Sequence, residues 1–308
     1  MARILVTGAS GLVGSRLVVR LRAAHEVHGT FHGHSPEFLR HPADRIHRLD
    51  IRDPAALESL LARVAPDTVV HCAAMTDVDG CEAEPARARA ANVAPVEALA
   101  DWASPRGARL VQMSTDYVFD GEHPPYEVDA VPNPLCVYSK TKADAEAVAA
   151  RAVGSLIVRS TVIYGADFGH LKQNFVMWLL SELRAGRSVN VVEDQWGTPT
   201  ISENIAEFIE IALRKELQGV VHAAIGECMP RLEFARRIAA HFALDTGLIH
   251  SASTEDLRQK ARRPKRPCLS MRRSERALGV PSWTLDQSLS LLERQLSLKD
   301  RSALVPWW

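Results

Sequence analysis

Residues 3–14 read RILVTGASGLVG, and the order of residue types along that stretch decides the fold. Arg3 to Thr7 form a short apolar run rich in β-branched side chains, which suits a strand buried on both faces. Gly8, Gly11 and Gly14 follow as G-x-x-G-x-x-G, after which Leu12, Val13, Leu17 and Leu21 recur at helical spacing. Strand, glycine turn, helix is the order that a phosphate-binding turn requires. Glycines permit the tight turn and let backbone N–H groups approach a pyrophosphate, while the helix N-terminus adds the positive end of its dipole. Gly8, Ser10, Gly11, Leu12, Val13 and Gly14 are therefore the candidate cofactor-binding residues of the first turn.

Outward from this turn the alternation repeats. Strands are expected around 26–31, in a segment ending at Leu49-Asp50, in TVVHCAA at 68–74 and in ARLVQMS at 108–114. A helix begins near Pro54, and an alanine-rich helix covers about 84–103. SLIVRSTVIYG then reads as one buried strand ending at Gly165. Repeated βα units predict an α/β fold, a Rossmann-type doubly wound parallel sheet with helices on both faces. Beyond Gly165 the pattern loosens into a helix at roughly 170–185, the strand SVNVVED, a helix from Ser202, a strand at 219–224 and a helix after Pro230. An amphipathic helix carrying Leu285, Leu289, Leu292 and Leu296 closes the chain. These features divide it into a dinucleotide-binding domain, 1–168 with a return over roughly 200–225, and a smaller mixed α/β substrate domain, 169–199 and 226–308.

Composition narrows the function. With 308 residues, 46% hydrophobic and 24% charged, the chain buries a large core, and Lys+Arg balance Asp+Glu at 37 each. Nucleic-acid and membrane partners are not expected, and the basic run RRPKRP at 262–267 reads as a solvated loop. The N-terminus has no secretory pattern and no apolar run spans a bilayer, so a cytoplasmic protein is expected. Cys72, Cys81, Cys136, Cys228 and Cys268 show no C-x-x-C pairing and an odd count, which predicts reduced structural thiols. No HExxH occurs, and His32-Gly33-His34 reads as a polar loop, so no metal site is expected. An acidic residue closing the second strand would hold the ribose 2′-OH of NAD. Here Phe31, His32, Gly33, His34 and Ser35 stand instead, nothing repels a 2′-phosphate, and NADPH is the expected cofactor with NADH left open. Asp50 comes too late for the ribose and lies near the adenine or caps the helix at Pro54.

The second decisive stretch is VYSKTK at 137–142, preceded by the proline-rich loop GEHPPYEVDAVPNP. Tyr138 and Lys142 are four residues apart, which places a phenol and an ammonium on one helix face. A fixed cation lowers a tyrosine pKa, so the pair is a candidate proton donor. The glycine turn, Thr115, Tyr138 and Lys142, in this order, resemble the extended short-chain dehydrogenase/reductase family over nearly the whole chain. STDYVFDG at 114–121, the later PYE and NP, VYSKTK, DQWGTPT at 194–200 and Arg266-Pro267 followed by Leu269 resemble the dTDP-4-dehydrorhamnose reductase branch.

The resemblance implies a reductase of a keto sugar, nucleotide-linked and of the 4-keto-6-deoxy kind. Hydride passes from the nicotinamide to the ketone carbon, and Tyr138 protonates the developing alkoxide. Lys142 holds the nicotinamide ribose and lowers the Tyr138 pKa, and Thr115 hydrogen-bonds the substrate oxygen unless it merely closes a turn at the strand end. Further cofactor contacts implied are His32, Asp50, Ile51, Cys72, Ala73, Ala74 and Asn92, the last competing with a plain helix-surface role. Implied substrate contacts are Thr76, Val78, Asp116, Val162, Asn174, Phe175, Gln195 and Thr198.

Two segments depart from the branch. His71-Cys72-Ala73-Ala74-Met75-Thr76 stands where Asn-Ala-Ala-Ala-Tyr-Thr is usual, and Val162 stands where a tryptophan lines the sugar pocket. Loss of that aromatic platform changes which sugar stacks there. A non-catalytic regulatory subunit similar to the methionine adenosyltransferase β subunit is the alternative from another class, and an NAD-dependent sugar-nucleotide epimerase is a third. The expected partner is a small nucleotide-sugar substrate, and a homodimer is admitted.

Overall fold

In a computed structural model, residues 1–36, 39, 42, 45–166, 173–257 and 259–298 are described. The first half runs β1 (Arg3–Thr7), α1 (Leu12–Leu21), β2 (Glu26–Phe31), β3 (Ile46–Arg48), α2 (Pro54–Val64), β4 (Thr68–His71), α3 (Val78–Ala83), α4 (Pro85–Asn92), α5 (Ala94–Ala103), β5 (Arg109–Thr115), α6 (Val137–Ala149) and β6 (Leu156–Ser160). After it come β7 (Ile163–Tyr164), α7 (Phe175–Arg184), β8 (Val189–Val192), β9 (Trp196–Gly197), β10 (Thr200–Ile201), α8 (Ser202–Arg214), β11 (Gly219–His222), β12 (Met229–Pro230), α9 (Arg231–His241), β13 (Ile249–Ala252), α10 (Arg272–Leu278) and α11 (Leu285–Ser297). The expected boundary at 168/169, the start of the helix placed near 170 and the end of the chain lie outside the described residues.

Seven parallel strands form the central sheet in the order β11-β6-β5-β4-β1-β2-β3. Alternation along each strand feeds two cores. Ile4, Val6, Val70 and Val111 pack with α1 and α8 through Leu17, Val18, Phe208 and Ile209. Leu5, Val69 and Leu110 face the other way, against Leu57 and Leu61 of α2, Leu99 of α5 and Ala145 of α6. The order reverses between β1 and β4, and the crevice outside their carboxyl ends is where such a sheet binds ligands.

Several elements differ from expectation for local reasons. The alanine-rich helix is two, α4 and α5, because Pro95 lacks the N–H that would continue it past Val93. The strand ending at Gly165 also breaks in two, since Val162 takes φ +39° and turns the chain. β7 then pairs with β10 outside the main sheet. Beyond it, β8 pairs with β13 and β9 with β12, covered by α7 and α9, while α8 and β11 return to the central sheet. Cys228 and Cys268 are joined by a disulfide, against the expectation of five free thiols, because folding brings their Cα atoms to 5.7 Å across a separation of 40 residues. The basic run is only partly a solvated loop: Arg263 pairs with Asp79 at 3.0 Å and Arg266 stacks over Trp196.

A buried polar junction ties the last described helix to the first. Arg16 of α1 donates through Nε to Glu203 of α8 at 2.8 Å and through Nη2 to the Ala166 carbonyl at 2.8 Å, and Gln295 of α11 donates to the same Glu203 oxygen at 2.7 Å.

Candidate active site

The sheet opens at the β1/β4 switch onto a cavity of about 850 Å³ that runs from the glycine turn to α7 and α9. At its cofactor end, Gly8 sits at φ +70°, and a Cβ there would lie 2.9 Å from the Ala73 nitrogen. A Cβ on Gly14 would lie 2.3 Å from the Gly8 carbonyl oxygen, so both positions demand glycine. α1 follows Gly11 with no side chain capping its first turn, and Gly11, Leu12, Val13 and Gly14 line the cavity there. That cradle fits the pyrophosphate of a dinucleotide. Thr7, which the sequence reading passed over, holds the turn against β4. Its oxygen accepts from the N–H groups of Cys72 and Ala73 at 3.1 and 3.2 Å, and with both lone pairs so used its proton goes to His71 Nδ1 at 2.8 Å. Burial pushes His71 down to about 3 and the Cys72 thiol up to about 12, so both are neutral, and Cys72 acts as a wall and not a nucleophile.

At the end of β2, His32, His34 and Ser35 line the cavity with Asp50, Ile51 and Arg52. Asp50 does not cap α2. Asp53 does, accepting from the Ala56 N–H at 3.0 Å. Asp50 instead takes a two-pronged hydrogen bond from Arg52, at 2.9 and 2.6 Å, which holds its carboxyl well below the usual range.

Thr115 ends β5, and Tyr138 lies in the first turn of α6 across from it. The Thr115 hydroxyl donates to Asp116 at 3.0 Å, and Thr161 donates to the other Asp116 oxygen at 2.5 Å. Burial raises Asp116 to about 6. Burial also pushes Tyr138 well above its ordinary value, and a hydrogen bond with Thr115 draws it part of the way back. The Lys142 ammonium donates to the Met113 carbonyl at 2.6 Å, away from the cavity wall, and burial brings its pKa down to about 8 while Glu146 opposes that fall.

Of the other expected residues, Ser10, Leu12, Val13, Ala73, Ala74, Thr76, Val78, Asp116, Val162, Asn174 and Phe175 face the same cavity. Asn92 does not. It is buried behind the wall, where its side chain accepts from the Met75 N–H at 2.8 Å and donates to the Met75 carbonyl at 3.2 Å and to Thr141 at 3.0 Å. Gln195 and Thr198 are also buried away from the cavity, Gln195 donating to Thr254 and Gln259. The pairing of β9 with β12 turns that loop inward. Arg231, at the start of α9, lines the cavity beside Phe175 and carried no motif in the sequence.

Residues 2–296 match the family described as RmlD substrate binding domain. The chain belongs to this family. It is 36% identical over 297 residues to the probable low-salt glycan biosynthesis reductase of Haloferax volcanii, covering 95% of this chain and 97% of that one. It is 32% identical over 289 residues to methionine adenosyltransferase 2 subunit beta of Xenopus laevis, covering 92% and 84%. The crystal structure of dTDP-4-dehydrorhamnose reductase from Bacillus anthracis in complex with NADP superposes with a TM-score of 0.83 at 26% identity, covering 96% and 99%. As a member of the RmlD family, the chain is an oxidoreductase on the extended short-chain dehydrogenase/reductase frame.

Proposed function

We propose that the chain reduces a keto group on a nucleotide-linked sugar, using NADPH as hydride source and Tyr138 as proton donor. The observation that carries this reading is the single cavity shared by the glycine turn and the pair Thr115 and Tyr138. A bound nicotinamide cofactor supplies hydride to the carbonyl carbon. The Thr115 hydroxyl turns from Asp116 to the carbonyl oxygen, and Tyr138 delivers its proton as negative charge builds there. Because burial keeps Tyr138 protonated, it stays loaded until that charge develops. The NADPH preference is supported by His32, His34 and Ser35 at the end of β2 and by the NADP bound in the Bacillus anthracis relative. The proposed division keeps β11 and α8 with the dinucleotide unit.

The test is NADPH oxidation over a panel of 4-keto nucleotide sugars by wild type and Tyr138→Phe. The variant is expected to lose about 10²- to 10⁴-fold in kcat while still binding NADPH. Wild type that binds cofactor but reduces no panel member would favour the second reading, a regulatory subunit. The similarity to methionine adenosyltransferase 2 subunit beta supports that one.

A further inference from the structure

We infer that Arg231 binds a carboxylate carried by the sugar of the substrate, which makes that substrate an acidic, uronate-type sugar nucleotide; this rests on the nucleotide-sugar reading above. Arg231 is anchored at its backbone, where its N–H donates to the Gln195 carbonyl at 2.8 Å. Its guanidinium carbon lies 5.0 Å over the Phe175 ring centre, and both residues line the cavity. Stacking uses the face of the guanidinium and leaves the in-plane N–H donors free. Among the described residues no carboxylate or carbonyl takes up those donors.

The surrounding charges make this cation differ from its neighbours. Arg263, close enough to be felt by Arg231, is satisfied by Asp79 through bonds of 3.1 and 3.0 Å. Asp116 attracts Arg231 through space, yet its two oxygens are occupied by Thr115 and Thr161. Arg231 therefore presents a stacked, uncommitted fork of donors to the cavity, and a planar carboxylate accepts from such a fork through both oxygens. Its position says which part of the ligand it meets. Asp116 and Tyr117 are the residues that follow Thr115, and the Tyr117 ring packs edge-on to Tyr138 at 6.2 Å. Arg231 thus borders the place where the sugar is reduced.

The test is calorimetric titration of the NADP-saturated chain with three ligands: a nucleoside diphosphate glucuronate, the corresponding glucose compound and the free nucleoside diphosphate, in both uridine and thymidine series. Wild type should bind the glucuronate about 10- to 100-fold more tightly than the glucose compound, the range for a hydrogen bond between charged groups. Arg231→Gln should erase that difference, bringing the glucuronate to the affinity of the glucose compound, and Arg231→Lys should recover part of it. Equal wild-type affinities for the two sugars overturn the assignment. So does an Arg231→Gln variant weakened alike for all three ligands, which gives the residue to the diphosphate. Binding of neither sugar nucleotide overturns the nucleotide-sugar reading as well. Thermal unfolding of each variant separates loss of the fork from loss of the fold.

Discussion

Glu146 offers the sharpest test of how the catalytic helix is held. It lies one turn beyond Lys142 on α6, nearly sealed from solvent, with side-chain exposures of 6% for Glu146 and 4% for its partner Arg159. Arg159 grips it with both prongs, Nε to Oε1 at 2.9 Å and Nη2 to Oε2 at 2.7 Å, and Ser114 donates to Oε1 at 2.5 Å. Glu146→Ala leaves a guanidinium buried without its counter-charge. Removing one partner of a buried pair costs about 3–5 kcal/mol, and the stranded Ser114 hydroxyl adds about 1 kcal/mol. Even the lower figure moves the folding equilibrium by more than about a hundredfold. Urea unfolding followed by circular dichroism would compare wild type, Glu146→Ala, Arg159→Met and the double variant Glu146→Leu with Arg159→Met. Each single variant should lose most of the stated amount, and the double variant should lose far less than the sum, since apolar groups of similar volume leave no charge unpaired. A single loss under about 1 kcal/mol, or strict additivity, refutes the reasoning.

Two further outcomes follow from buried groups. Asn92→Ala strands the Met75 N–H and carbonyl behind the cavity wall and should cost about 1–3 kcal/mol for each group left unpaired; a neutral urea midpoint would contradict this placement. On the acid side, His71 and His222 have folded pKa values near 3 and 4 against an ordinary 6.5, so unfolding takes up protons there and stability falls as pH drops below about 6.5. Asp116, raised from 3.8 to about 6, works in the opposite sense between those values. Between about pH 6 and 4 the two histidines outweigh Asp116, so stability should fall as pH drops across that range, and Asp116→Asn should steepen the fall. A flat profile of urea midpoints across that range would show that the histidines are not held neutral.

Much of this was legible in the chain because it is local. Alternation in Arg3–Thr7 and the spacing of Gly8, Gly11 and Gly14 specify strand, turn and helix with no knowledge of the rest. Thr115 and Tyr138 were readable for the same reason, each sitting at the end of a clearly patterned element. What escaped depends on distant contacts or on one torsion. Four-residue spacing puts Lys142 beside Tyr138, but a long flexible side chain goes to its best acceptor, here the Met113 carbonyl. Val162 bends the expected strand through a positive φ that a β-branched residue rarely adopts, so composition gave no warning of it. Gln195 and Thr198 turn inward because β9 pairs with β12, a partnership across more than thirty residues of sequence. Arg231 acquires its surroundings from α7 and the end of β5, elements remote in the chain.

The junction of Arg16, Glu203 and Gln295 makes the first helix depend on the last one described. Arg16 is buried on α1, yet the carboxylate that neutralises it belongs to α8 and the amide that completes the cluster to α11. The cofactor cradle and α11 therefore share one buried polar cluster, although they stand at opposite ends of the described chain.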